Sequence, residues 1–287
     1  MSITAHIKNI ALHHTVFDLP FAYIGALLGA NGHPRLIDIV WITVAITAGR
    51  AAALALDNYA DMGFDAQQPR LSWRPMVTGE VTRREARIFI AACAVILIFA
   101  VCQLAPICIY LLPLAALPCI IYPFTKRFTS YCHLVLGVAI AMAPAGGWAA
   151  VGGPIEWSGA IVPIVTLCVG VMFWMGGFDA MYGAQDRKFD LAHGLHSLAT
   201  KVGAKNTFAI ARIWHLLAIV AFFDVGILSH LSWPYFIGVG IAGGTLVYQH
   251  RIIRWNDFRR LTQAYFMRNG VVSITLFLCT WLAYLIA

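Results

Sequence analysis

Two regularly spaced sets of acidic residues are the part of this sequence best suited to carry out chemistry. The first set contains three aspartates spaced four residues apart, Asp57, Asp61 and Asp65. The second contains three aspartates and a tyrosine at intervals of three, four and four, Asp179, Tyr182, Asp186 and Asp190. Such intervals place all members of a set on one face of an α-helix. Because "DNYADMGFD" aligns without gaps on "YGAQDRKFD", we expect two helix ends that face a shared cavity.

The spacing brings like charges together, and divalent cations would relieve their repulsion. Carboxylates four residues apart destabilise a helix, and one placed deep in a bilayer costs about 2.5–3.5 kcal/mol. A solvated loop face would explain some acidic residues at a helix end, but not two sets with the same period. Mg²⁺ takes oxygen ligands from carboxylates, water and substrate phosphates. Two facing clusters, with Asn58 adding an amide oxygen to the first, therefore predict a Mg²⁺ site that binds a diphosphate.

Basic residues are predicted on the same side of the membrane as these clusters. Arg70 and Arg74 follow the first cluster, and Lys126 and Arg127 end the segment "YPFTKR". Together with the carboxylates they could form a clamp that neutralises charge on a departing diphosphate. Each of them taken singly could instead be an anchor at the cytoplasmic surface of the membrane.

The composition predicts the elements that hold these residues. The chain is 60% hydrophobic and only 11% charged, against roughly 25% charged residues in soluble proteins. Apolar runs long enough to cross a bilayer core of about 30 Å recur along the chain. We therefore expect an all-α membrane protein with a single domain, residues 1–287, and short cytoplasmic helices and loops that cap a central cavity. The nine predicted transmembrane helices cover residues 16–31, 36–58, 86–105, 107–124, 132–151, 159–182, 206–227, 232–250 and 268–287.

The distribution of basic residues predicts the orientation of the bundle. All lysines and arginines except Arg35 and Arg50 fall on one side of the predicted helices, which the positive-inside rule makes the cytoplasmic side. The N-terminus and both acidic clusters then lie on the cytoplasmic side of the cytoplasmic (inner) membrane. The net charge of +7 is therefore a topology signal and does not indicate nucleic-acid binding. The seven cysteines lack CxxC spacing, which argues against a disulfide framework or a zinc site.

These motifs resemble those of the UbiA-type superfamily of intramembrane prenyltransferases, in particular its bacterial quinone branch of 4-hydroxybenzoate polyprenyltransferase-like proteins. The first cluster and the basic loop after it are similar to the family motif Asn-Asp-x-x-Asp-x-x-x-Asp, although Asp57 and Asn58 stand in reversed order. The second family motif, Asp-x-x-Tyr-x-x-x-Asp-x-x-x-Asp, is matched in full by residues 179–190, and "YPFTKR" also resembles a family segment. The resemblance covers nearly the whole chain and agrees with nine helices.

The resemblance implies Mg²⁺-dependent transfer of a polyprenyl group from polyprenyl diphosphate to an aromatic ring in menaquinone or ubiquinone biosynthesis. The allylic C–O bond would ionise, the ring would attack the cation ortho to a hydroxyl, and Asp179 or Asp186 would take the ring proton. The residues that it places at the diphosphate are Lys126, Arg70, Arg74, Arg127 and Tyr182. The metal ligands that it implies are Asn58, Asp61, Asp65, Asp186 and Asp190.

The acceptor is left open between two aromatic acids, 4-hydroxybenzoate and 1,4-dihydroxy-6-naphthoate, and overall likeness favours the naphthoate. Both carry a carboxylate that Arg50 could bind, although Arg50 could equally lie at a packing interface. His14 and His133 could contact the acceptor or cap helix ends. The implied partners are polyprenyl diphosphate, the aromatic acceptor and membrane lipid, and no protein partner can be inferred.

Other functions predict different patterns. A family member of the haem, chlorophyll or archaeal-lipid type would act on another acceptor. A cation transporter would distribute acidic residues across the depth of the bilayer, whereas only Asp38 and Asp224 belong to the half opposite the two clusters. A CDP-alcohol phosphatidyltransferase would need an Asp-Gly-x-x-Ala-Arg element, which this sequence lacks.

Overall fold

The computed structural model describes residues 3–10, 17–155, 159–259 and 261–287. These residues form helices joined by turns, which confirms the predicted all-α class. The α-helices, α1 to α12 in chain order, are Ile3–Asn9, Leu19–Gly29, Leu36–Asp65, Pro75–Thr78, Arg83–Val101, Ile107–Ile121, Cys132–Ala150, Val162–Gly183, Arg187–Ala192, Leu198–Leu228, Trp233–Ile252 and Leu261–Leu285. Short 3₁₀ helices lie between them at Pro69–Leu71, Tyr122–Arg127 and Ala184–Asp186.

Within the described ranges, five helical segments are long and apolar enough to cross a membrane. They are Leu36–Asp65, Ile107–Arg127, Cys132–Ala150, Val162–Ala192 and Leu198–Leu228. The apolar helices Leu19–Gly29 and Asn269–Leu285 are shorter, and a helix of 11 residues such as α2 rises only about 17 Å along its axis. The predicted number of nine crossings, which also counts α2, α5, α11 and α12, therefore stays a prediction.

Close helix packing forms the interior of the bundle. Helices α7, α8 and α10 pack against one another in sequence, α2 lies against α7, and α11 pairs with α12. Phe21, Trp174 and Phe222 are fully buried between them. A Cβ atom at Gly147 would collide with the backbone carbonyl of Ala22, so α2 and α7 meet backbone to backbone. Small residues permit such contacts between membrane helices, where dispersion and not water drives association.

Short elements and capped helix starts shape the polar end of the bundle. Ser197 and Thr200 form a capping box at the start of α10, which satisfies amide groups that a helix start leaves unpaired. Between α3 and α5, the chain makes the 3₁₀ helix Pro69–Leu71 and then α4. These turns hold Arg70 and Arg74 close to the end of α3, and they correspond to the short capping elements predicted from the sequence.

Candidate active site

The two acidic clusters line one cavity, with a volume of about 130 Å³. The first cluster reaches the cavity from the C-terminal end of α3, through Asp57, Asp61 and Asp65. The second reaches it from the end of α8 and the short helices that follow, through Asp179, Tyr182, Asp186 and Asp190. Four basic side chains also line it, those of Arg70, Arg74, Lys126 and Arg127. The predicted meeting of two acidic helix ends is thus present in the structure.

Arg70 connects the first basic loop to the second acidic cluster. Its Nη2 atom donates to both carboxylate oxygens of Asp186, at 2.9 and 2.8 Å. Its Nη1 atom donates to the Tyr182 hydroxyl at 2.8 Å. Gln68 adds a further bond to Asp186, from Nε2 to Oδ1 at 2.6 Å. The planar guanidinium therefore holds the end of α8 against the loop after α3, with the fixed geometry that arginine provides.

Arg74 is paired with the last carboxylate of the first cluster. Its Nη1 atom donates to Asp65 Oδ2 at 2.5 Å. Burial lowers the pKa of Arg74, but the carboxylates of Asp65, Asp57 and Asp61 together outweigh burial and raise that pKa above its ordinary value. The pKa of Arg70 is also raised above its ordinary value. Burial lowers it, but Asp186 and Tyr182 together raise it by more. Both side chains therefore remain cationic at any physiological pH.

The segment "YPFTKR" supplies the other two cations from a 3₁₀ helix. Lys126 Nζ lies 3.7 Å from Asp190 Oδ1, and Arg127 Nη2 lies 3.9 Å from Asp61 Oδ1. The backbone carbonyl of Lys126 accepts a bond from the amide of His196 at 2.6 Å. That bond ties the 3₁₀ helix to the chain just after α9, so both cations are fixed relative to the second cluster.

Lysine and arginine side chains form ion pairs with aspartates of both clusters around the cavity. Six aspartates face four lysine and arginine side chains, so the carboxylates are in excess. Among the residues that the structure describes, no three His, Cys, Asp or Glu side chains come close enough to hold a metal ion together. The cations separate the carboxylates in this arrangement.

Asn58 does not take the position predicted for it. Its side chain donates from Nδ2 to the backbone carbonyl of Asn9 at 2.6 Å, and it is not among the residues that line the cavity. Asp57 and Asn58 lie four and three residues before Asp61, so helical spacing alone admits either of them to its face. The structure gives that place to Asp57, and we correct the assignment of Asn58 as a metal ligand accordingly.

Replacing Asn58 by alanine should therefore affect stability more than metal dependence. The buried Asn9 carbonyl would lose its donor, which costs about 1–3 kcal/mol, so we expect a lower unfolding temperature in detergent. The Mg²⁺ concentration for half-maximal activity should stay at the wild-type value, whereas Asp57→Asn should raise it. A large increase in Asn58→Ala, measured on enzyme that remains folded, would restore the original assignment.

Two further predicted contacts are not found at the cavity. Arg50 forms a buried ion pair with Asp18, at the start of α2, and it does not line the cavity. An acceptor carboxylate that reached Arg50 would have to compete with Asp18, so the predicted role of Arg50 is corrected to a contact between α2 and α3. His14 lies outside the described residues.

Some residues at the cavity carried little signal in the sequence. Gln68 is a neutral side chain in a loop, and nothing in its surroundings marks it as a partner of Asp186. His133 was considered only as a contact to an acceptor or as a helix cap. In the structure it lies in the first turn of α7, and its Nδ1 atom is 2.7 Å from Asp179 Oδ2. Residues so far apart in the chain cannot be paired from periodicity.

The chain is similar to known prenyltransferases. Residues 19–271 match the model of the UbiA prenyltransferase family. A 4-hydroxybenzoate octaprenyltransferase from Methylobacillus flagellatus is 30% identical over 253 residues, which cover 88% of this chain and 83% of the relative. One of the same name from Citrobacter koseri is 32% identical over 300 residues, 96% of each chain.

Solved structures share the fold. The apo structure of a UbiA homolog from Aeropyrum pernix matches with a TM-score of 0.81 at 26% identity, over 96% of this chain and 98% of that one. A UbiA homolog from Archaeoglobus fulgidus bound to DMAPP and Mg²⁺ matches with a TM-score of 0.69 at 14% identity, over 98% and 99% of the two chains. The family match spans most of the sequence and the relatives align over most of their length. This integral membrane protein is therefore an enzyme that belongs to the UbiA prenyltransferase family.

Proposed function

We propose that the protein transfers a polyprenyl group from polyprenyl diphosphate to a hydroxylated aromatic acid. One observation carries this proposal: two aspartate clusters and four cationic side chains line a single cavity at the end of an apolar bundle. Relatives named 4-hydroxybenzoate octaprenyltransferase support the same reaction. The cavity offers cations for a diphosphate and carboxylates for accompanying metal ions, and the bundle offers apolar surroundings for the tail.

The donor set fits Mg²⁺. The carboxylates exceed the cations around the cavity, so a diphosphate entering alone would add to an existing negative charge. Carboxylate oxygens are hard ligands of the kind that Mg²⁺ takes together with water and phosphate. When bound, Mg²⁺ would neutralise charge on the leaving diphosphate. The residues that would hold it are Asp61, Asp65, Asp186 and Asp190, with Asp57 in place of Asn58 on the first helix.

The chain's own cations would bind and orient the diphosphate. Arg70 and Arg74 lie on the loop after α3, and Lys126 and Arg127 lie on the 3₁₀ helix that faces it. Moving from carboxylates to phosphate oxygens, they would stabilise the charge that develops as the allylic C–O bond breaks. Tyr182, which already accepts a bond from Arg70, would keep that guanidinium oriented during the exchange.

The acceptor is proposed to be an aromatic acid with a free position ortho to a hydroxyl group. The overall likeness of the sequence favours 1,4-dihydroxy-6-naphthoate, whereas the names of the relatives favour 4-hydroxybenzoate. Both share the chemistry that the cavity requires, since the electron-rich ring attacks an allylic cation in each. We place 4-hydroxybenzoate first, because the relatives that carry that name align over most of the chain.

The placement in the membrane is proposed from charge and hydropathy. Nine crossings by one domain are proposed from the length of the apolar runs. The N-terminus and the cavity are placed on the cytoplasmic side of the inner membrane by the positive-inside rule. Large apolar side chains that face outward on several helices, including Val95, Tyr110, Leu114 and Leu216, are exposed in the structure. Lipid would cover this surface and would also receive the prenyl tail, whose burial contributes about 0.8 kcal/mol per CH₂.

The proposal is tested by incubating the purified protein in lipid nanodiscs with radiolabelled polyprenyl diphosphate and each of the two acids. We expect a prenylated aromatic product that requires Mg²⁺ and disappears when EDTA is added. The ratio of kcat/KM for the two acids identifies the acceptor. Product formation from neither acid, or a cation flux through reconstituted liposomes in place of transfer, would contradict the proposal.

A further inference from the structure

A buried histidine and an aspartate form a pair on one wall of the cavity. His133 is 1% exposed, and its Nδ1 atom lies 2.7 Å from Asp179 Oδ2. A carboxylate can only accept a hydrogen bond, so Nδ1 carries the proton and donates it. In the neutral imidazole the lone pair is then on Nε2. Among the described residues that atom is buried and has no hydrogen-bond partner.

The packing around the ring fixes its position. A Cβ atom at Gly183 would lie 2.8 Å from His133 Cε1, so the imidazole rests directly on the backbone of α8. Gly183, His133 and Asp179 all line the cavity. A side chain that is held on one edge by a carboxylate and on another by a glycine has little rotational freedom, so the position of Nε2 is fixed.

The other carboxylates of the second cluster are less available for proton transfer. Both oxygens of Asp186 accept from Arg70, and Oδ1 also accepts from Gln68. Asp190 has Lys126 3.7 Å from its Oδ1. The proposed function uses both of these carboxylates as metal ligands, so neither is assigned to proton transfer. Asp179 has instead a histidine as its partner, in the arrangement by which a carboxylate orients an imidazole base.

We propose that His133 is the base that removes the ring proton, with Asp179 as its orienting partner, an inference that rests on the proposed prenyl transfer. The ring carbon ortho to the hydroxyl forms a bond to the allylic carbon as the C–O bond to diphosphate breaks. The hydrogen on that ring carbon leaves as a proton to Nε2, and its bonding electrons restore aromaticity. Asp179 stabilises the resulting imidazolium through the bond at Nδ1. The imidazolium then returns its proton to the departing diphosphate or to water.

The test compares 4-hydroxybenzoate with the same acid carrying deuterium ortho to its hydroxyl. In the wild type, breaking of the C–O bond limits the rate and we expect no isotope effect. His133→Gln keeps an N–H donor for Asp179 but has no basic nitrogen, so transfer should fall by about 100-fold or more. Proton loss then limits the rate, and a normal primary isotope effect should appear. Asp179→Asn should behave in the same way, and the double variant should lose little more.

His33→Gln is the matched control, because His33 is exposed just before the start of α3, at the end of that helix opposite the cavity, and does not line the cavity. It should keep the wild-type rate without an isotope effect. Binding of a prenyl thiodiphosphate, whose C–S bond resists ionisation, reports whether each variant is folded. A His133→Gln enzyme with the wild-type rate, or a slow one without an isotope effect, would overturn the inference while wild-type transfer still supports the proposed function. A wild type that prenylates no aromatic acid would instead refute the proposed function itself.

Discussion

Asp186→Asn is expected to lower prenyl transfer by about 10²–10³-fold, the loss that follows removal of one electrostatic contact to the leaving group. Asp186 is the carboxylate that Arg70 and Gln68 hold at the junction of the two clusters. The amide keeps the size of the side chain and one acceptor oxygen, but it removes the negative charge that would bind Mg²⁺. The measurement is the initial rate of transfer from labelled polyprenyl diphosphate at saturating Mg²⁺.

Asp224→Asn is the control for this change. Asp224 lies within α10, a helix that spans the apolar part of the bundle, and is not among the residues that line the cavity. The same chemical substitution there should leave transfer within about twofold of wild type, since only changes in the reacting site alter transition-state binding. Asp186→Asn that remains folded and retains wild-type activity would contradict the assignment of the second cluster.

Asp61→Asn is expected to lower the rate of prenyl transfer by a similar factor. Unlike the loss in Asp186→Asn, this loss should depend on the Mg²⁺ concentration. The ion pair of Asp61 with Arg127 is long, with Nη2 3.9 Å from Oδ1, and the Asp61 side chain is 31% exposed. Removing this charge should therefore change folding little and metal binding strongly. We expect transfer to fall by about 10²-fold or more, with partial recovery as Mg²⁺ is raised well above the wild-type requirement.

Two measurements test Asp61→Asn: the Mg²⁺ concentration needed for half-maximal activity, and the unfolding temperature. A shift of the titration to higher Mg²⁺ with an unchanged unfolding temperature supports the role proposed for Asp61. A fall in activity that follows a fall in thermal stability, with the titration unchanged, would show that Asp61 acts in folding and not in binding the metal.

The sequence predicts the meeting of the two clusters because helical periodicity determines which side chains share a face. Asp57, Asp61 and Asp65 had to lie on one side of α3 once the run before them was identified as a membrane helix. The second set followed the same rule on α8 and its continuation. Lys126 was predicted from the segment that contains it, and it does reach Asp190 in the structure.

Contacts between distant parts of the chain were beyond this reasoning. Asn58 was assigned to the metal from its neighbourhood in the sequence, but α1 packs beside it and takes its amide. For Arg50 the sequence leaves open an acceptor carboxylate or a packing interface, because a charge in a membrane helix needs a partner. That partner is Asp18, at the start of α2. The two residues are 32 positions apart in the chain, so helical periodicity cannot predict their pairing. The pairing of His133 with Asp179 was missed for the same reason.

Hydropathy alone does not determine the number of membrane spans. Five segments are long and apolar enough within the described residues, whereas nine were predicted. α5 begins with the charged sequence "RREAR", which lowers the mean hydropathy of the helix. The helix nevertheless packs along α3. Charged ends and short apolar helices can be accommodated when neighbouring helices cover them, and that depends on tertiary packing.

The most direct test of the central claim is the binding of a prenyl thiodiphosphate to the purified protein, measured by calorimetry with and without Mg²⁺. If both clusters bind the diphosphate through shared metal ions, wild-type protein should bind the analogue only when Mg²⁺ is present. Asp61→Asn and Asp186→Asn should each abolish that dependence, although they stand on different helices. Equal affinity in EDTA, or undiminished Mg²⁺-dependent binding when both aspartates are replaced, would contradict the claim.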